Sequence, residues 1–350
     1  MKALITGGAG FVGSHLTEAL LSDGHQVTVI DNLSTGSAEN IAHLRSHPRF
    51  QLVGGTMLNA PLMRQLTGQA DVIYHLAAAV GVKRIMESPL QSIQTNVHTT
   101  ELVLECAAAS GTTVVITSTS EVFGKNDSTP LKEDADSIIG PTQVTRWLYA
   151  SSKLIDEFLA LAYQRERGVP VVIVRFFNLV GPRQTGQYGM VVPRLVEAAL
   201  SGVPLTVYGD GQQSRCFTDV LDAVRAVIRL SQTPEANGQV FNIGSTQEIT
   251  IAALARTILR LTESDAGVRF LPHQQVYGDG FEETRRRVPD VTKLRQTVGF
   301  APETPLEETL RRIIRHFRSA RRQAELPLQP TIDAGHATIA DPVAAAVGVS

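Results

Sequence analysis

Six short apolar runs recur between residues 2 and 177, each followed by a stretch of helical length: "KALIT" (2–6), "QVTVID" (26–31), "FQLVG" (50–54), "DVIYHLA" (71–77), "TTVVITS" (112–118) and "VPVVIVRFF" (169–177). Strands that are apolar throughout must be covered on both faces, which is the condition of a parallel sheet lying between two layers of helices. Strand and helix in strict alternation require right-handed crossovers, and the result is an α/β fold with a doubly wound parallel sheet. A later run, "GQVFNIG" (238–244), is expected to rejoin that sheet. Residues 1–177 with about 218–244 then form one domain. Residues 178–217 and 245–318 are shorter in pattern and richer in Gly and Pro, with helices expected at 191–201, 250–262 and 305–318. They read as a smaller, interleaved C-terminal lobe that completes a ligand cleft. Residues 319–350 carry turn formers and lack an amphipathic period, so they are expected to form a disordered tail.

The 32 basic and 34 acidic residues give a net charge of −2, so no overall field recruits nucleic acid or an anionic membrane. An anionic ligand must therefore be held by local arginines. Cys106 and Cys216 are the only cysteines and neither belongs to a CxxC, which argues against a disulfide framework or a metal site. With no apolar run approaching about 18 residues, a cytoplasmic protein without membrane contact is expected.

"TGGAGFVG" follows the first strand and opens a helix, placing Gly7, Gly10 and Gly13 in a GxxGxxG pattern with Phe11 and Val12 at the helix start. Glycines there allow a tight turn and close approach to a pyrophosphate, which the N–H groups of the helix N-terminus receive. Asp31 closes the second strand, with Asn32 after it. A carboxylate at that place accepts from both ribose hydroxyls and repels a 2′-phosphate, which selects NAD over NADP. Leu76, Ala77 and Ala78, in "YHLAAAV" (74–80), end the fourth strand with side chains small enough to let a planar cofactor lie against the sheet edge.

"YASSK" sets Tyr149 and Lys153 four positions apart in a helical pattern, so both lie on one helix face. A phenol has a pKa of about 10 and must drop by roughly 3 to act as a base near neutrality; the lysine and a cationic nicotinamide ring are charges that can lower it. "TSTSEVFGKN" (117–126) ends the fifth strand on Thr119, Ser120 and Glu121, where Glu121 is either a working base or a solvated turn residue.

GxxGxxG, Asp31, the Thr/Ser motif at 118–120 and Tyr149-xxx-Lys153 together resemble the extended short-chain dehydrogenase/reductase family, particularly its NAD-dependent nucleotide-sugar epimerases, decarboxylases and dehydratases. Further matching blocks are "RFFNLVGPRQ" (175–184), "LTVYGDGQQSRCFTDVLDAV" (205–224), "VFNIG" (240–244) and "RRRVPDVTKLRQTVGF" (285–300). The resemblance implies a Rossmann domain and a homodimer formed by helices near 94–110 and 149–167. It implies that Tyr149 removes the sugar O4 proton, that Lys153 holds the nicotinamide ribose, and that Thr119 or Ser120 shares the proton transfer. Asn178 matches a substrate-holding asparagine, and Arg215 and Arg287 match arginines that grip the nucleotide diphosphate. Thr56 and Met57 stand where family members commonly place an aspartate against the adenine amine.

The three reaction classes share a C4 ketone and then diverge. A carboxylate-bearing substrate needs a cation, for which Arg183 is the candidate, with Gln184, Thr185, Gln187 and Tyr188 beside it able to take a carboxylate or a hydroxyl. The expectation is a 4-epimerase acting on UDP-glucose or UDP-glucuronate. A UDP-glucuronate decarboxylase or an NDP-sugar dehydratase using Glu121 is the alternative, and a non-catalytic nucleotide sensor is a third reading.

Overall fold

The structure, a computed structural model, describes residues 1–78, 85, 87–187, 189–272, 274–275 and 284–325. Its centre is a seven-stranded parallel sheet built from β1 (Lys2–Thr6), β2 (Gln26–Asp31), β3 (Phe50–Gly54), β4 (Val72–His75), β5 (Thr113–Thr119), β6 (Val171–Phe176) and β11 (Gln239–Ile243), in the spatial order β11-β6-β5-β4-β1-β2-β3. The apolar runs become these strands because both faces are covered. Ala3, Ile5, Val27 and Val29 pack on one side, while Leu4, Ile30, Ile73 and Val114 pack on the other. The doubly wound α/β sheet expected from the sequence is thus present.

After β1 the chain winds outward through β2 and β3 and then returns to place β4 on the other side of β1. That reversal opens a crevice at the carboxyl ends of β1 and β4, the place where open α/β sheets take their ligands. Helix α1 (Phe11–Ser22) starts at the crevice, and α2 (Ala60–Thr67) follows β3. Helices α3 (Pro89–Ser110) and α4 (Trp147–Arg167) pack against one another beside β5.

Between β6 and β11 the chain forms β7 (Leu179–Val180), α5 (Val191–Leu200), β8 (Leu205–Tyr208), β9 (Ser214–Cys216), β10 (Thr218–Asp219) and α6 (Val220–Ser231). After β11 come β12 (Glu248–Thr250), α7 (Ile251–Thr262), β13 (Val268–Leu271), α8 (Thr292–Val298) and α9 (Leu306–Glu325). Helices α5, α7 and α9 share a core of Leu195, Val196, Leu254, Ile258, Leu310 and Ile313. The expected tail boundary at 319 needs correction, since α9 continues to Glu325. Its apolar stripe ends near Phe317, but Arg318 donates to the carbonyl of Thr262 and Arg321 to the carbonyl of Leu200. Two arginines thereby satisfy carbonyls at the C-terminal ends of α7 and α5, which keeps the helix docked where hydrophobic period no longer reports it. Residues 326–350, the rest of the expected tail, lie outside the described residues, as does Tyr188. Among the described residues no helix is long and apolar enough to cross a membrane.

Candidate active site

A cleft of about 1170 Å³ runs along the carboxyl ends of the strands and brings together Gly7, Gly10, Phe11, Val12, Gly13, Asp31, Asn32, Leu76, Ala77, Ala78 and Arg183 at one end, and Thr119, Ser120, Glu121, Tyr149, Asn178 and Arg287 at the other. Lys153 and Arg215 do not line it. Lys153 is buried beneath its floor at 2% exposure, and Arg215 lies on β9 with Nη1 donating to the carbonyl of Ser214.

The first end is shaped for a dinucleotide by backbone alone. A Cβ on Gly13 would stand 2.3 Å from the carbonyl oxygen of Gly7, and one on Gly7, whose φ is +73, would stand 2.9 Å from the backbone of Ala77. Gly10 caps α1 without a side chain, and no acidic residue occupies the first turn, so the helix N-terminus keeps its donors and its positive field for a phosphate. Asp31 is fixed by two backbone donors, Ala9 N at 2.9 Å and Leu33 N at 2.8 Å, which hold the carboxylate at the strand end. Thr56 accepts from Leu58 N, and Met57 is buried with Leu4 and Ile30, so no carboxylate stands at either position. These donors and glycines fit NAD.

The other end is organised by the turn that follows β5. Thr119 caps a 3-10 turn (Ser120–Phe123), its Oγ1 accepting from Glu121 N at 3.2 Å. Gly124 ends the turn at φ +60, and a Cβ there would meet the carbonyl of Ile138 at 2.2 Å. The C-terminal lobe reaches this turn through a bridge between Leu131 and Pro289, with Leu131 N donating to Val288 O at 2.8 Å and Asp290 N to Leu131 O at 2.8 Å. The buried amide of Asn242 donates to both Leu131 O and Asp290 O. This crossing brings Arg287, 2% exposed, against Glu121: Nη1 to Oε1 is 2.5 Å, with Nη2 donating to Thr284. Arg146 approaches the other oxygen of Glu121 at 3.5 Å. Burial by itself opposes ionisation of Glu121, but the charges of Arg287 and Arg146, with the hydrogen bond from Arg287, hold its pKa down to about 2. Glu121 is therefore a carboxylate with structural partners and not a solvated turn residue.

Tyr149 lies between this ion cluster and a second, sealed network. Lys153 Nζ donates to Asp156 Oδ2 at 2.7 Å, with Asp156 wholly buried. Burial raises the Asp156 pKa against the opposing charge and hydrogen bond of Lys153, and the neighbouring Thr100 bonds His75 Nε2 at 3.1 Å, whose Nδ1 in turn meets Thr6 Oγ1 at 2.9 Å. Burial, with the charge of Lys153, lowers the His75 pKa to about 3, so the ring is neutral. Burial, Glu121 and Asp156 together raise the Tyr149 pKa, so without a cofactor cation beside it the phenol keeps its proton. Behind Ser118, Glu157 accepts a bidentate pair from Arg175 at 2.9 and 2.7 Å, anchoring α4 to β6.

Arg183 and Arg287, both expected to meet the substrate, each form an ion pair within the protein. Arg183 is held by Glu18 at 2.5 Å, by the carbonyl of Asn40 at 3.1 Å and by the ring of His15, so its charge is already matched on the cofactor side. Arg287 sits against Glu121. Asn178, at φ +37, donates to Cys216 O at 3.3 Å. Sequence reasoning did not single out Arg146, Asp156 or His75. The signal for the first two was their spacing from Tyr149 and Lys153 along one helix, and for His75 its place beside Leu76 at the end of β4.

A family model described as the NAD dependent epimerase/dehydratase family matches residues 3–244. The chain belongs to that family. Its cofactor is NAD. UDP-N-acetyl-alpha-D-glucosaminuronate decarboxylase of Bacillus cytotoxicus is 43% identical over 318 residues, covering 91% of this chain and 98% of the relative. UDP-glucuronic acid decarboxylase 1 of Xenopus tropicalis is 37% identical over 317 residues, covering 91% of this chain and 72% of the relative. Among solved structures, UDP-glucuronic acid 4-epimerase of Bacillus cereus in complex with NAD and a fluorinated UDP-glucuronic acid is 30% identical with a TM-score of 0.82, covering 91% of this chain and the whole of that one. The expectation of a 4-epimerase is corrected by these findings, because the more similar relatives are named as decarboxylases. Arg183, the expected partner of a sugar carboxylate, is paired with Glu18, and Arg287, expected at the diphosphate, is paired with Glu121.

Proposed function

We propose that this chain is an NAD-dependent decarboxylase of UDP-linked hexuronates, taking UDP-glucuronate or its 2-acetamido counterpart. The observation that carries the reading is the ion cluster beside Tyr149, in which an ionised Glu121 is flanked by Arg287 and Arg146. An uncharged sugar gives such a cluster nothing to match, whereas a sugar carboxylate does. The decarboxylase names of the relatives support the same choice.

NAD, when bound, supplies the acceptor and donor of the C4 hydride, and its cationic ring favours the phenolate of Tyr149. Gly7, Gly10 and Gly13 would hold its pyrophosphate and Asp31 a ribose, and Lys153 would reach the nicotinamide ribose only by leaving Asp156. Tyr149 takes the O4 proton and later returns it, while Thr119 and Ser120 donate to O4 as its charge grows. With a ketone at C4, the C5–C6 bond can break to release CO2, its electron pair passing into the C4–C5 enolate. The net change consumes one proton at C5. Tyr149 must give its proton back to O4, and Glu121 is ionised, so the C5 proton would come from solvent through a water near Glu121, with a further solvent proton neutralising the hydroxide left behind. Asn178 and Arg215 are assigned to the nucleotide sugar.

The buried free thiols Cys106 and Cys216 suit a cytoplasmic protein. Leu90 and Ile93 of α3, with Ile155 and Phe158 of α4, are apolar and exposed, Phe158 at 71%, which supports a homodimer made by these two helices and their copies. Light scattering at micromolar concentration tests the dimer. The activity is tested by incubating purified protein with NAD and each UDP-hexuronate. Release of the carboxyl carbon as CO2 with formation of the UDP-pentose is expected. A product that has lost water and kept its carboxylate would refute the reading.

A further inference from the structure

We propose that Arg183 is a positioning residue for the cofactor: it braces α1 and the segment after β2 together beside the glycine turn, and so sets how firmly NAD is held. The inference needs only the cofactor and stands apart from the decarboxylase reading. Arg183 belongs to the C-terminal lobe, yet its guanidinium spans two parts of the Rossmann domain. Nη2 donates to Glu18 Oε2 of α1 at 2.5 Å and lies 3.2 Å from His15 Nδ1, while Nη1 donates to the carbonyl of Asn40 at 3.1 Å. The buried ring of His15 bonds the carbonyl of Pro182 through Nε2 at 3.0 Å. A neutral imidazole donates at that nitrogen and is left with Nδ1 to accept from Arg183. Residues 182 and 183 therefore both return to α1.

Asn40 carries the contact inward to the glycine turn. Its side-chain amide donates to the carbonyl of Ala9 at 2.9 Å, and Ser37 N donates to the same carbonyl at 3.0 Å. Gly36 lies against that turn so closely that a Cβ there would stand 2.8 Å from the backbone of Ala9 and 3.0 Å from Gly10 N. The segment from Asn32 to Asn40 lines the cleft beside Asp31, the residue that would hold a ribose, and no residue in it is buried. Hydrogen bonds, not apolar packing, must then keep it in place, and the charge-assisted ones from Arg183 are the strong kind. Backbone strain marks the same point. Arg183 has φ +69, a left-handed conformation that costs a non-glycine residue energy and persists where the surroundings enforce it, as at ligand clamps. Without the brace, the segment loses its tie to α1 and the Asp31 end of the cleft loosens. NAD then leaves faster, while the nucleotide-sugar end keeps its own contacts.

The experiment loads the unmodified holoenzyme and the variants Arg183→Met, Arg183→Lys and Glu18→Gln with labelled NAD and follows its release into excess unlabelled NAD. The dissociation constant of UDP and the melting temperature of each protein are the controls. Arg183→Met keeps the apolar stem and removes every donor, and it is expected to release NAD about 10- to 100-fold faster with UDP affinity within about 2-fold. Arg183→Lys keeps the charge beside Glu18 but lacks the fork that reaches Asn40 as well, so its release rate is expected to fall between the two. Glu18→Gln leaves the Asn40 bond intact and is expected to speed release by about 3-fold. An unchanged release rate in Arg183→Met would overturn the assignment. So would NAD and UDP affinities that weaken together with the melting temperature, the mark of a merely structural residue. A raised KM for UDP-glucuronate with NAD release unchanged would return Arg183 to the sugar. Should Arg183→Met fail to fold, Arg183→Lys and Glu18→Gln decide: unchanged release in both overturns the proposal, and faster release in both upholds it. Whether CO2 is formed has no bearing on NAD release, so this inference and the decarboxylase reading fail separately.

Discussion

Tyr149 is bordered by two sets of charged side chains that differ in kind. On the cleft side, Glu121 is shared by Arg287 and Arg146. On the protein side, Lys153 and Asp156 form a buried pair beside a hydrogen-bonded chain of Thr100, His75 and Thr6. A buried pair fixes geometry, whereas a charged cluster open to a cleft can meet a charged ligand. Under the proposed function, the first set faces the sugar and the second places the acid/base pair.

The sharpest way to break the comparison is to remove the group between the two sets. Tyr149→Phe is expected to lower kcat for CO2 release by about 10²- to 10⁴-fold while NAD binding, followed by fluorescence quenching, is kept. A loss of less than tenfold would take the O4 proton away from Tyr149. Glu121→Gln tests the cleft side. It leaves both arginines without their anion and the water at C5 without its acceptor, and kcat is expected to fall by about 10²-fold. If turnover is unaffected, Glu121 is only a counter-ion for Arg287.

Asp156→Asn probes the sealed side through pH. Among the groups around Tyr149, Glu121 and Asp156 both raise its pKa, His75 is neutral, and Glu157 is engaged by Arg175. Removing the Asp156 charge lets the phenol ionise more readily, so the acidic limb of the kcat profile is expected to move down by about 0.5 to 1 pH unit. An unmoved limb together with a lowered melting temperature would make Asp156 structural alone.

The smallest effect concerns stability. His75 and His15 are neutral and buried, with pKa values lowered to about 3 and about 4, in each case chiefly by burial. In the unfolded chain they charge below about 6.5, so the unfolded state binds more protons and stability falls as pH drops from about 6.5 toward 4. Each ring contributes up to about 1.4 kcal/mol per pH unit to that slope. His75→Gln is expected to flatten the dependence of stability on pH in denaturant titrations between pH 6.5 and 4. A slope identical to that of the unmodified protein would show that His75 is charged in the folded state.

The sheet was legible because each strand is a contiguous apolar run, and the local pattern at 2–6, 26–31 and 50–54 coincides with β1, β2 and β3. The cofactor end was legible for a related reason: its glycines and Asp31 act through backbone geometry within a short span. The charged network was not. Arg183 finds Glu18 at a separation of 165 residues and Arg287 finds Glu121 at 166, and nothing local announces either pairing. Asp156 follows Lys153 at i+3, a spacing that on most helices is an exposed ion pair, and only the packing of α4 on α3 and the sheet makes it buried. The reaction class was hidden because epimerisation, decarboxylation and dehydration share Tyr149, Lys153 and the C4 ketone, and part only at groups placed by the tertiary fold.

The central claim is that a C4 ketone is made, the carboxyl group leaves, and the hydride returns to the carbon it came from. The direct test is turnover of UDP-glucuronate carrying deuterium at C4 and a labelled carboxyl carbon, followed by mass spectrometry and proton NMR of the product. The account predicts a UDP-pentose that keeps the deuterium at C4, with all label from the carboxyl group in CO2. A product that retains the carboxyl label, or a pentose from which the C4 deuterium is missing, would contradict it.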